Sequence, residues 1–115
     1  MVHVNVKVSL SNKISGYHDE LIVADIEDPD HFSYLDNDGS LCEIEISPKG
    51  LRLFKSSHDH LLNLYLDGDN YAEIITGEGK LRIDVKVLDF TFDSDILVIR
   101  YLIEDEERVI ELRFC

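Results

Sequence analysis

The residues of this chain best suited to chemistry stand together in KSSHDHLLNLYL, where His58, Asp59 and His60 precede a leucine-rich run. In an extended segment residues 58 and 60 project to one face, the spacing at which two imidazoles grip one zinc or copper ion. A catalytic zinc needs a third protein ligand, and His18, His31 or Asp59 would have to supply it from elsewhere or by a reversal of the chain. No local spacing places any of them. KSSHD also joins LRLF to LLNLYL and is rich in residues that hydrogen-bond their own backbone in turns. A polar turn is therefore the expectation, with no metal site, no cofactor and no catalytic residue assigned. His60 shares the phase of Leu62, Leu64 and Leu66 and is expected at the rim of an inward-facing row.

Other segments that resemble chemical motifs fail on context. DNDGSLCEIE sets Asp36, Asp38, Gly39 and Glu45 at the third, fifth, sixth and twelfth positions of an EF-hand loop. Its first ligand position is Tyr34, however, and its flanks read as strands, so a hairpin turn is expected. TGEGK lacks the spacing of a phosphate loop and leads into a strand. No GxSxG or other nucleophile context occurs. Cys42 and Cys115 have no CxxC spacing and are read as reduced thiols. EDEER, at 104 to 108, reads as a charged hairpin.

These segments must be positioned by strands, because the dominant signal along the chain is alternation with period 2. VHVNVKVSL sets Val2, Val4, Val6, Val8 and Leu10 against His3, Asn5, Lys7 and Ser9. CEIEIS, LRIDVKV and VIELRF repeat the pattern with Cys42, Ile44 and Ile46, with Leu81, Ile83, Val85 and Val87, and with Ile110, Leu112 and Phe114. Turn signals separate the runs at DNDGS, SPKG, DGDN, TGEGK and DSD. No window of ten or more residues has the recurrence of an amphipathic helix, so almost no helix is expected. Near VKVLDFTF the inward set shifts from Val85 and Val87 to Leu88, Phe90 and Phe92, as a one-residue bulge would cause. ILVIRYLI is apolar on both faces apart from Arg100, and is expected to be covered on both sides, by the chain itself or by a partner subunit.

The 115 residues are read as one domain, residues 1–115, long enough for a core without disulfides or metals. With 24 acidic against 11 basic residues, a formal charge of -13 and no basic patch, nucleic acid and anionic membrane surfaces are poor partners. No apolar run approaches the roughly 18 residues of a membrane span, and no leader is recognised, so a cytoplasmic protein is expected.

The run ITGEGKLRIDVKV, the hairpin into LVIRYLI, the closing VIELRF and the earlier FSYLDNDG and EIEISPKGLRLFKSS together resemble the YwiB-like family of small calycin-like, or lipocalin-like, β-barrels of Gram-positive bacteria. The similarity runs from VNVKVSL to Phe114. It implies an all-β, single antiparallel barrel of about eight to ten strands and supplies no catalytic residues. The wider calycin group holds apolar ligands inside the barrel, a likeness of fold alone. The expected function is a non-catalytic module that binds a small apolar or amphipathic ligand in its interior, lined by Phe54, His60, Leu62, Leu64, Phe90, Phe92, Tyr101 and Phe114. The alternative is a homodimer or protein-interaction module with an acidic surface.

Overall fold

The structure, a computed structural model, describes residues 4–12, 17–26, 28, 30–36, 38–93 and 95–114, with side chains for residues 6–9 and from 28 onward in that set. Ten strands make up most of it: β1 (Val4–Asn12), β2 (Tyr17–Ile26), β3 (His31–Leu35), β4 (Leu41–Ser47), β5 (Gly50–Ser56), β6 (His60–Leu66), β7 (Tyr71–Thr76), β8 (Gly79–Asp93), β9 (Ile96–Ile103) and β10 (Glu106–Phe114). Among the described residues there is no helix, hence none long and apolar enough to cross a membrane. Hydrogen-bonded neighbours run β2-β1-β10-β9-β8-β7-β6-β5-β4-β3, and only β1 and β10 are neighbours without being consecutive in the chain. The all-β, antiparallel expectation of about eight to ten strands is met. Although Leu21, Ile22, Val23 and Ala24 interrupt alternation, β2 forms along β1.

The described residues divide into two compact units, one holding β3 to β7 with β8 as far as Val85, the other holding β1, β2, β9, β10 and β8 from Lys86. In the first, antiparallel register lines up Ile44, Leu53, Leu64 and Ala72 across four strands, and all four are buried. Leu51 and Leu66 pair beside them and are buried as well. Burying each leucine or isoleucine fully contributes about 1.5–3 kcal/mol, which fixes the pairing because a one-residue slip would turn the whole row to water. The parallel row Cys42, Lys55, Leu62, Ile74 and Leu81 begins buried at Cys42 and ends with Leu81 56% exposed. Leu81 therefore departs from the inward position expected of it: alternation gives its face, but little is packed on that face at the end of the row.

In the second unit Val8, Leu112 and Leu97 form one buried row, and Ile110 and Ile99 another. Val6 and Val8 alternate with half-buried Lys7 and Ser9 as expected, whereas Val2, His3, Cys115 and the side chains of Val4, Asn5 and Leu10 lie outside the described residues. The phase change in β8 is present, since Val87 is half-buried and the next half-buried residue is Phe90. Leu88 and Phe92 do not follow Phe90 inward: Phe92 is 48% exposed and covered on one side by the Phe114 ring stacked on it at 6.1 Å. In β9 one face, Leu97, Ile99, Tyr101 and Ile103, is buried, while Val98, Arg100 and Leu102 are half-buried and Ile96 is exposed.

Two turns carry backbone conformations that side chains resist. Gly50 closes the loop through Pro48 and Lys49 with φ +148°, and a Cβ there would meet the carbonyl oxygen of Leu66 at 2.0 Å. Glu104 and Asp105 link β9 to β10 with φ of +49° and +66°, the paired positive values of a type I′ hairpin that Asn-Gly fits far better. Gly50→Ala is expected to lower stability by about 2 kcal/mol or more in urea unfolding, because the clash is with backbone that cannot turn aside. The double change Glu104→Asn, Asp105→Gly is expected to raise stability by about 1 kcal/mol. An unchanged midpoint would contradict the strained turn.

Candidate functional site

His58 and Asp59 are exposed in the turn between β5 and β6, half-buried His60 opens β6, and the turn is closed by the Ser57 N–H donating to the His60 carbonyl at 2.9 Å. His60 Nδ1 lies 2.7 Å from Asp59 Oδ1, and this hydrogen bond is the main reason the Asp59 carboxyl titrates below the usual carboxylate range. The histidine pair gathers no third ligand among the described residues. The side chain of His18 lies outside them.

The other expected lining residues fall into two sets, one in each unit. In the first, Leu64 is buried and Leu62 half-buried on the inner rows, with His60 continuing their phase at the strand's start. Phe54 stands on the opposite face, because the inward residues of β5 are Leu51, Leu53 and Lys55. In the second, Tyr101 is buried and its hydroxyl is pushed up by burial, while Phe90 and Phe114 are half-buried.

Concavity is found on the outer face of the first unit. Register sets Glu43, Phe54 and Asn63 in one row across β4, β5 and β6, and Leu41, Ser56 and Leu61 in the next. Together with Lys55 these residues line an open groove of about 180 Å³. Leu41 and Leu61 are 52% and 42% exposed, and Leu35, paired with Leu41, is 64% exposed. Beyond Phe54 the face is closed by a ladder in which Arg52 lies 5.0 Å from the Tyr65 ring, Tyr65 4.6 Å from Tyr71, and Arg82 4.0 Å from Tyr71. Phe54 meets Tyr65 edge-on at 5.8 Å, which holds its ring as one wall of the groove.

Lys55 borders the groove while sitting in the inner row beside Cys42. Its Nζ lies 2.9 Å from Asp36 Oδ2 and 3.0 Å from Asp38 Oδ2. Burial alone would lower the Lys55 pKa, but the hydrogen bonds to the two aspartates outweigh it and leave the ammonium firmly charged. Ser40 donates its N–H to Asp38 at 2.9 Å and shares a hydroxyl hydrogen bond with Ser57 at 3.0 Å. Hydrogen bonds from Ser40, then Lys55, hold the Asp38 carboxyl well below its usual range. Burial pushes the thiol of neighbouring Cys42 up, against a smaller opposing effect of the Tyr34 hydroxyl, and this free, buried cysteine packs in the inner row.

A cluster that the sequence did not suggest lies beside the groove. His31, Glu43 and Glu45 present ligand atoms that all lie within 4.8 Å of one another, with His31 Nε2 3.3 Å from Glu43 Oε2. The signal for it is tertiary: the β3–β4 hairpin pairs His31 with Glu45, and Glu43 is two residues along the same face.

No family model matches the chain, and no curated protein matches it significantly. Among solved structures it is similar to the crystal structure of the ywiB protein from Bacillus subtilis, with 13% identity and a TM-score of 0.49, over 96% of this chain and 89% of that one. A likeness at that level passes no function from one chain to the other.

The lowered Asp38 and Asp59 carboxyls set an acid limit. In each the folded form binds protons less readily than the unfolded chain, so their contribution is present above the ordinary aspartate value of about 3.9 and is lost as pH falls through the folded values. The thermal midpoint is expected to hold from neutral pH to about 5 and to fall below about 4. Ser40→Ala, which removes the largest influence on Asp38, is expected to lower the midpoint by a few degrees and flatten that acid limb; an acid limb as steep as the parent's would contradict it.

Proposed function

We propose that the protein is a non-catalytic, calycin-like binding protein of the cytoplasm that takes a small amphipathic ligand. The ligand's apolar part lies in the groove over Leu41, Phe54 and Leu61. Its polar end is a cation or hydrogen-bond donor, because the rim offers the Glu43 carboxylate and the Asn63 amide, and the chain's charge of -13 attracts cations to the whole surface. The observation that supports this reading most is the groove itself: exposed leucines and a ring held by an aromatic neighbour form a concave apolar floor beside fixed polar groups.

A second reading is that a protein partner or second copy covers the same leucines. It rests on Leu35, Leu41 and Leu61 extending the apolar surface past the groove.

Native mass spectrometry of protein purified gently from its own host, followed by methyl NMR with dodecylamine as probe, tests both. An excess mass lost on denaturation, dodecylamine shifts at Leu41 and Leu61, and at least tenfold weaker binding by Leu61→Asp are the expected results. Shifts confined to Leu64 and Leu53 would move the ligand to the inner rows. A dimer mass abolished by Leu61→Asp would favour the second reading.

A further inference from the structure

We infer that His31, Glu43 and Glu45 form a binding site for a divalent transition-metal ion on the outer face of β3 and β4. The inference stands apart from the proposed groove ligand, although Glu43 borders both places.

A pair of carboxylates alone would be ordinary on so acidic a chain. The imidazole in register with them makes a ligand set. His31 is directly opposite Glu45 in the β3–β4 ladder, and Glu43 lies two residues from Glu45 on the same strand, so three side chains leave one face of a two-stranded ribbon. Their ligand atoms already lie within 4.8 Å of one another. Metal–ligand bonds of about 2.0–2.2 Å need donors roughly 3–4 Å apart, which rotation of the exposed side chains supplies with the backbone unmoved.

Charge points the same way. Two ionised glutamates with a neutral imidazole carry two negative charges, and like charges side by side on one strand face repel. The cation in register with Glu45 is Arg52, and its guanidinium is held by Asp67 at 2.5 Å and Asp69 at 3.3 Å and stacked over Tyr65. Glu45 also acts on Arg52 electrostatically, but the short contacts of the guanidinium go to Asp67 and Asp69, and a divalent ion would add neutralising charge directly at the carboxylate pair. One nitrogen and two carboxylate donors suit zinc, manganese, cobalt or iron(II), whereas calcium and magnesium favour oxygen donors alone. His31 and Glu43 are about half exposed, which leaves the remaining coordination positions to water or to an incoming oxygen ligand.

Isothermal titration of the full chain with Zn²⁺, repeated in excess Ca²⁺, tests the site. One zinc per chain is expected, with Ca²⁺ failing to displace it. His31→Ala and Glu45→Gln should each weaken zinc binding at least tenfold, while the double variant His58→Ala, His60→Ala should bind like the parent. Neither His31 nor Glu45 lines the groove, so His31→Ala should still bind dodecylamine and Leu61→Asp should still bind zinc; this separates failure of the metal site from failure of the proposed function. Both altered side chains are exposed, and far-UV circular dichroism confirms that the strands persist; His31→Gln, which keeps size and polarity, replaces any variant that does not fold. No saturable zinc binding, binding unaffected by His31→Ala and Glu45→Gln, loss in the His58, His60 variant, or equal competition by Ca²⁺ would each overturn the inference.

Discussion

The register of β4, β5 and β6 is the constraint on which the described surface chemistry depends. Ile44, Leu53 and Leu64 are buried in one row, and because strand side chains alternate, burying that row commits Glu43, Phe54 and Asn63 to the opposite face. The groove is the outer shadow of the inner packing. A shift of one residue in β5 alone would bury Phe54 and expose Leu53, and the groove would lose a wall as the core lost a leucine. Gly50 enforces this register at one end, since only a residue without Cβ can lie so close to the Leu66 carbonyl.

A chain with 24 acidic residues must separate or pair its carboxylates, and the structure does both with few cations. Lys55 bridges Asp36 and Asp38 across the end of a hairpin, and Arg52 bridges Asp67 and Asp69 across another. Each of these cations serves two carboxylates at a turn, where the chain would otherwise be held by little burial. Arg52 and Arg82 also cover tyrosine faces, so that the outer surface of this unit is partly an ordered layer of rings and guanidinium groups. Such a layer protects the ladder beneath it from water while leaving its own outer side polar. Glu43 and Glu45 have an imidazole beside them, with Arg52 acting on Glu45 electrostatically, and that imidazole sets this corner of the sheet apart from the other acidic pairs.

The strand pattern, the charge and most turns were determined by sequence alone. Alternation is a local property: Val6 and Val8, Cys42 and Ile44, and Ile110 and Leu112 share a face by a period of two, and there each is buried. The turn at His58 and Asp59 was likewise legible from its composition. Tertiary structure decided depth and company. Leu81 and Phe92 have the phase of inward residues and remain largely in water, since burial needs something packed on the face and not merely membership of it. Phe54 has the character of a lining residue, but only the pairing of β5 with β4 and β6 shows which side it lines. The meeting of His31 with Glu45 across fourteen positions of sequence depends on the register of one hairpin, a sum of turn geometry and buried side chains that no single segment carries.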